Sequence, residues 1–405
     1  MSIDDLQRDL DDRLAAADAE LAARFPGDRG VRQPVHTVYV PADRYDEHTV
    51  TEFGRQAVDL LDEHGAELGL AGEVHERVRA KLGSEPIEDL RIDFEDGYGN
   101  RSDAEEDATV RAAATALRRS LEAGTAAPYH GIRFKSLEAP TRNRGIRTLD
   151  LFVGELGDQI GDGFVVTLPK VTSVDQVDAM VVACRWLEQD HGLVEGTLRF
   201  EIQVETPQSI LAPDGTALVA RMVHAAAGRC TGLHYGTYDY SASCGIAAEH
   251  QSMEHPAADH AKAVMQVAAA GTGVFLSDGS TNVLPVGDRE QVVTAWKLHQ
   301  RLVRRSLERG YYQGWDLHPG QLPTRFAATY AFYREGFPTA AARLRAFVHG
   351  GDSGYLDEPA TAVALAGFVL RALECGAVDA AEVEQLIAVD GRRLALLARR
   401  RPGAE

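Results

Sequence analysis

Side chains able to bind a metal or move a proton stand at the ends of short apolar runs in this chain. Asp93, Glu95 and Asp96 close one run; Arg133 and Lys135 close the next; Lys170 follows a third; Gln203 and Glu205 close a fourth. Asp239, the pair Ser277 and Asp278, and His318 end the last three. Apolar runs that end in charge are hard to explain by packing alone. Carboxylates from neighbouring runs, with a carboxamide and water completing the shell, suit a hard octahedral cation, Mg²⁺ or Mn²⁺. Glu205 and Asp239 fit that role, and each also stands where a carboxylate favours a helix N-terminus, so spacing alone leaves both readings open. Arg133 offers a permanently charged fork for a carboxylate or carbonyl, or an ion pair to Glu95 or Asp96. Only five of the 42 basic residues are Lys, and two of those, Lys135 and Lys170, stand at run ends, where a Schiff base is one further chemistry.

The elements that hold these residues follow from periodicity. Eight apolar or β-branched runs, near residues 38, 92, 133, 166, 202, 234, 275 and 316, alternate with helical stretches such as 47–64, 104–122, 174–189, 216–227, 257–270 and 288–308. Eight βα units predict a (β/α)₈ TIM barrel, whose catalytic groups project from the C-terminal ends of the strands. Leu6, Leu10 and Leu14 predict an N-terminal helix that stops at Pro26-Gly27, and residues 323–335 and 359–374 predict a C-terminal helical extension. The expected organisation is an N-terminal helix over 1–30, a catalytic barrel over 31–322 and the extension over 323–405.

Composition narrows the partners. The formal net charge of -19 disfavours nucleic acid and anionic membranes, while a few buried arginines and a cation still permit an anionic small substrate. No run approaches the roughly 18 apolar residues of a membrane span, the start lacks a signal-peptide pattern, and the four scattered cysteines form no CxxC pair. A cytoplasmic enzyme is expected.

Several blocks, in order, resemble the HpcH/HpaI aldolase and citrate lyase β-subunit superfamily, which includes malyl-CoA lyase-like proteins and is related to malate synthase. VETPQSI followed by GLHYGTYDYSASCGI resembles its metal-binding pair of motifs. VYVPA, DFEDG, IRFKS, LPKV, LHPGQ and GYLDEPATAVALA are similar to further blocks, across about residues 35–375. The resemblance implies Glu205 and Asp239 as Mg²⁺ ligands, with Mn²⁺ the alternative, and Arg133 as the group facing the substrate carboxylate or carbonyl. It implies Asp93, Glu95, Asp96 and Gln203 as the groups behind them, and Lys170, Gly236, Thr237 and His318 around the substrate. Asp357 matches an aspartate that acts as acid or base in a neighbouring subunit, or else it caps the helix starting at Pro359. A homotrimer or homohexamer is implied.

The chemistry expected is a carbon–carbon lyase of aldol or Claisen type that stabilises an enolate on the metal beside Arg133, with Asp357, or a hydroxide held by the block containing Asp96, as base. The substrate is a 2-oxo acid or a 3-hydroxyacyl-CoA. The long basic segment SLEAPTRNRGIRTLD departs from the family's short turn; its Arg142, Arg144 and Arg147 are expected to meet a phosphate, a dicarboxylate or surface acids. Malate synthase-like condensation of an acyl-CoA with glyoxylate, a Lys imine aldolase and a non-catalytic ligand-binding barrel are the alternatives.

Overall fold

The structure, a computed structural model, describes residues 2–351 and 354–399. Strands β1 His36–Pro41, β2 Asp89–Asp93, β3 Tyr129–Arg133, β4 Phe164–Leu168, β5 Arg199–Val204, β6 Cys230–Tyr235, β7 Phe275–Ser277 and β8 Gly314–Asp316 occupy the eight anticipated runs. They hydrogen-bond in the order β7-β6-β5-β4-β3-β2-β1-β8, and a parallel bridge between Ser277 and Gln313 brings β7 beside β8 to close the barrel. Register levels the strand ends: Asp93 lies beside Arg133, Arg133 beside Thr167, and Gln203 beside His234. The chemistry-bearing residues therefore share one rim.

The interior below that rim is filled by ion pairs. Arg91, 1% exposed, forks to Glu201 and also meets Asp89; Glu201 accepts from Thr167 and faces His234 Nε2 at 3.0 Å. Buried charges persist only when paired in this way. Gly131, directly beside Arg91 in β3, lets β3 approach β4 closely: a Cβ there would lie 1.8 Å from the Val165 carbonyl oxygen.

Two outer helices were not anticipated. Gly72–Ser84 carries its apolar Val74, Val78 and Leu82 at intervals of four, a spacing that supports one buried stripe. Arg142–Leu156 replaces the expected basic loop. Its cationic first turn opposes the helix dipole, and acids on the neighbouring helix Asp103–Ala123 offset this: Arg144 and Arg147 both reach Asp107, at 2.6 and 2.9 Å.

The N-terminal helix Ile3–Arg24 is fixed at its start by a capping box between Ser2 and Asp5 and has no buried residue. The helix predicted to end near 335 runs from Leu322 to His349 straight through Pro338. Burial of Phe337, Ala340, Ala341 and Leu344 outweighs the hydrogen bond lost at the proline. Helix Pro359–Glu374 packs across it, with Phe368 against Phe332 and Tyr333 at ring separations of 5.6 and 5.0 Å. Short helices Ala380–Ile387 and Gly391–Ala398 follow. No described helix is long and apolar enough to cross a membrane.

Candidate active site

Lys170 is the hub of the rim. It follows β4 in the left-handed region, at φ +52°, unusual for a side chain with a Cβ. That turn aims its backbone N–H at Glu205 Oε1, 2.7 Å away, and its ammonium at three carboxylates: Glu95 at 2.7 Å, Asp96 at 2.9 Å and Asp239 at 3.2 Å. Burial opposes the lysine charge, yet Glu205, Glu95 and Asp96 outweigh it and hold the ammonium well above the ordinary lysine range. Glu205, 1% exposed, goes the other way: burial lifts its pKa well above the carboxylate range, and nearby Glu95 and Asp239 add to the lift against Lys170 and Arg133. Its second oxygen accepts from Gln203 Nε2. Burial likewise raises Glu95, with Asp96 adding to it. Burial also pushes Asp96 upward, but its hydrogen bond to Lys170 prevails and holds it below the usual aspartate range.

Arg133 is seated by the strand beside it. Asp93 takes its Nε and Nη2 at 2.7 and 2.6 Å, while the same carboxylate accepts the backbone N–H groups of Glu95 and Gly97 and so shapes the acidic turn. The ion pair anticipated with Glu95 or Asp96 is thus made chiefly with Asp93; Glu95 stands 3.5 Å from Nη1. A Cβ at Gly97 would meet Asp93 Oδ2 at 2.5 Å, which explains the glycine after the acidic block. The Tyr39 ring lies under the guanidinium, 4.8 Å from its centroid. The remaining face, Nη1, has only long contacts, 3.4 Å to Gln203 Oε1 and 3.5 Å to Glu95, and is the part of the fork best able to bind a substrate oxygen.

The other predicted residues divide. Gly236 is a close-approach position: a Cβ there would lie 2.5 Å from Glu205 Cβ and 2.8 Å from Oε2. Thr237 is buried next to it, with no hydrogen-bond partner for Oγ1 among the described residues. His318 turns back on its own loop, accepting from the Gly320 N–H at 3.0 Å. Asp357 pairs with Arg343 in the C-terminal extension, and Glu358 rather than Asp357 is the residue before helix Pro359–Glu374, so the helix-cap reading of Asp357 is corrected. Lys135 is structural: it donates to the Phe94 and Gly99 carbonyls at 2.7 and 3.2 Å and pairs with Glu106, pinning the acidic turn. Tyr235 and Tyr240 pack on each other, and the Tyr238 hydroxyl accepts the Asn282 N–H.

Asp93, Glu95, Asp96, Glu205 and Asp239 set five carboxylates against two cations, Arg133 and Lys170. Their all-oxygen donors, two of them raised by mutual repulsion and burial, fit a hard divalent cation held by Glu205 and Asp239. The described group of three ligand atoms already close together lies elsewhere, at Asp150, Asp190 and His191 on the outer helices, where His191 Nε2 is engaged by Asp150 at 2.9 Å.

Two features escaped the sequence. Tyr39 sits in an apolar strand with no sign that its ring meets Arg133; alternation along β1 is the only available signal. The triple engagement of Lys170 depends on a left-handed residue that a Leu-Pro-Lys string does not announce.

A family model described as a domain of unknown function, DUF6986, matches residues 14–402. Among curated proteins, an L-malyl-CoA/β-methylmalyl-CoA lyase from Haloarcula marismortui is 35% identical over 108 residues, which is 27% of this chain and only 29% of the length of that relative. Among solved structures, a citrate lyase from Burkholderia xenovorans LB400 is similar with a TM-score of 0.61 and 17% identity, covering 88% of this chain and 99% of the other. Malate synthase from Haloferax volcanii, solved as a magnesium/glyoxylate complex, is similar with a TM-score of 0.50 and 16% identity over 93% and 99% of the two chains. These structural likenesses are of fold.

Proposed function

The chain belongs to the DUF6986 family, and for it we propose a carbon–carbon lyase that acts on a 2-oxo acid with a divalent cation, Mg²⁺ or Mn²⁺, at Glu205 and Asp239. The observation that carries this reading is the excess of carboxylates gathered around Lys170 beside the one open face of Arg133. A cation bound there would polarise a carbonyl oxygen and stabilise the charge that develops on it when the adjacent C–C bond breaks. The chain's own residues supply the rest. Gln203 and the Lys170 N–H fix both oxygens of Glu205, and Asp93 fixes Arg133 so that Nη1 can take a substrate carboxylate without reorganising. Asp96, half-exposed at the mouth and held ionised by Lys170, is the proton acceptor this chain offers to a substrate hydroxyl.

A plain oxo acid is favoured over an acyl-CoA because two of the three arginines that could meet a phosphate, Arg144 and Arg147, are paired with Asp107; Arg142 gives only its Nε to the Leu137 carbonyl. The imine alternative requires a neutral lysine, and Lys170 is held as an ammonium. Condensation with glyoxylate uses the same groups in reverse. Asp357 serves a neighbouring subunit in a homo-oligomer once released from Arg343, a role that a monomer by light scattering would rule out.

Turnover of oxaloacetate, 4-hydroxy-2-oxo acids, malyl-CoA and citramalyl-CoA with Mg²⁺ or Mn²⁺, followed by mass spectrometry, tests the reading. Cleavage of an oxo acid that is abolished by EDTA and by Glu205→Gln is expected. Cleavage that survives EDTA and is trapped by borohydride would overturn it.

A further inference from the structure

A charged hollow lies at the end of the barrel opposite the rim. A cavity of about 680 Å³ opens where the strands begin, lined by Asp89, Tyr129, Arg199, Thr231, Phe275 and Gln313 among others. That volume falls within the range of small-molecule sites, roughly 300–1,000 Å³. Its floor is electrically settled, because Arg91 there is satisfied by Asp89 and Glu201. At one side Arg32 is ion-paired with Glu85 and Glu88, although its buried Nε has no hydrogen-bond partner among the described residues.

Two further arginines are not satisfied. Arg29, on the loop between the N-terminal helix and β1, gives Nη2 to the Thr231 carbonyl at 3.0 Å and lays its guanidinium over Phe275 at 4.7 Å. Its buried Nε has no hydrogen-bond partner, and it pairs with no carboxylate among the described residues. Its stem is held by Gly273, at φ +77°, where a Cβ would lie 2.9 Å from Arg29 Cγ. Arg199, the first residue of β5, lines the same cavity, and its guanidinium makes no hydrogen bond or ion pair among the described residues. The two guanidinium groups repel each other: burial lowers the Arg29 pKa, and Arg199 lowers it further, only partly offset by Cys230, Tyr129 and Asp28. Asp28 is 3.3 Å from Arg399, and Asp162 is an exposed acid in the lining. Two guanidiniums that face one hollow and pair with no carboxylate among the described residues suit an oxyanion, which each can bind through two N–H groups.

We propose that the N-terminal mouth of the barrel is a second binding site, in which Arg29 and Arg199 clamp the oxyanion of a small ligand, a carboxylate or a phosphate. The ligand enters at the strand starts, remote from the Glu205 rim, and its body fills the hollow above Arg91.

Calorimetric titration of the full chain with succinate and with inorganic phosphate tests this, each ligand against wild type, Arg199→Gln and Arg29→Gln. Saturable binding of at least one ligand by wild type is expected, weakened about tenfold or more in each variant, as for a lost charge-assisted fork; which ligand binds identifies the source of the oxyanion. A second measurement needs no variant. Phenylglyoxal modification, read by peptide mass spectrometry, should be suppressed by the binding ligand at Arg199 and Arg29, and not at Arg221, whose side chain is 54% exposed. Equal titrations across the three proteins, no saturable binding by wild type, or modification of Arg29 and Arg199 that ignores the ligand would each overturn the proposal.

Discussion

Lys170→Met isolates the electrostatic logic of the rim, because Met keeps the stem and deletes the charge. The pair with Glu95, whose side chain is 8% exposed, is a charge-assisted hydrogen bond of about 1.5–3 kcal/mol. Asp96 and Asp239 are 55% and 47% exposed, so solvent screening limits each of those pairs to about 0–1 kcal/mol. Glu95 and Glu205 can relieve the new repulsion by taking up protons, which caps the cost. A net loss of about 3 kcal/mol without metal is expected. For 405 residues, an unfolding entropy of about 2 cal/mol/K per residue turns that into a fall of about 3–4 °C in Tm. Magnesium should reverse the loss. In the wild type a cation must displace or share the carboxylates with the ammonium; in the variant it meets them unopposed, and saturation at 100 times Kd contributes about 2.7 kcal/mol. Differential scanning calorimetry with and without Mg²⁺, beside calorimetric titration of the metal, should show a larger Mg²⁺-induced rise in Tm and tighter Mg²⁺ binding in Lys170→Met than in wild type. Weaker metal binding in the variant would refute the competition and make Lys170 a group that positions the ligands.

Gly236→Ala places a methyl within 2.5 Å of Glu205 Cβ, so Glu205 must shift; kcat should fall about 100-fold, as for a displacement of about 1 Å, while circular dichroism stays native. Arg133→Lys keeps the charge but loses the fork seated on Asp93, and kcat/KM for an oxo acid should drop by about 10²–10³ with the metal affinity unchanged. Stability should fall with acid in two steps set by the buried Asp316 group. Burial lowers the His299 pKa more than Asp316 raises it, so its contribution is complete above the unfolded value of about 6.5 and is lost as pH drops through the folded value. Burial pushes Asp316 upward, but Arg325, His299 and His36 outweigh it and hold it well below the aspartate range; its contribution is complete above about 4 and is lost as pH falls further. Tm should decline from pH 7 to 5 and again below about 4, and the lower step should flatten in Asp316→Asn; a Tm that rises toward pH 5 would contradict the assignment.

The barrel was legible because its strands announce themselves twice, by apolar runs and by the polar residues that close them. β7 and β8, at three residues each, were still found because Asp278 and His318 mark their ends. What was missed lies outside that double signal. Residues 142–156 opened with RNRGIR, which argues for a loop until Asp107 on the adjacent helix is known to neutralise it. Pro338 argues for a helix end until Phe337 and Leu344 are known to be buried. In both places a distant contact overrode a local rule, and no window of sequence contains the partner.

The site divides along the same line. Residue types and the family resemblance single out Glu205, Asp239 and Arg133 as candidates, and the structure gathers Glu205 and Asp239 around Lys170 at the rim that also carries Arg133. Their charge balance is a property of the assembled rim. Asp93 is spent on Arg133 and on two backbone N–H groups, while Arg133 also stands 3.5 Å from Glu95 and counters the effect of burial on Glu95, Asp96 and Glu205. Lys170 alone stands among Glu95, Asp96 and Asp239. One ammonium and one guanidinium face five carboxylates, and burial still drives Glu95 and Glu205 toward protonation. That imbalance, more than the identity of any one ligand, is what supports the proposed divalent cation at the rim.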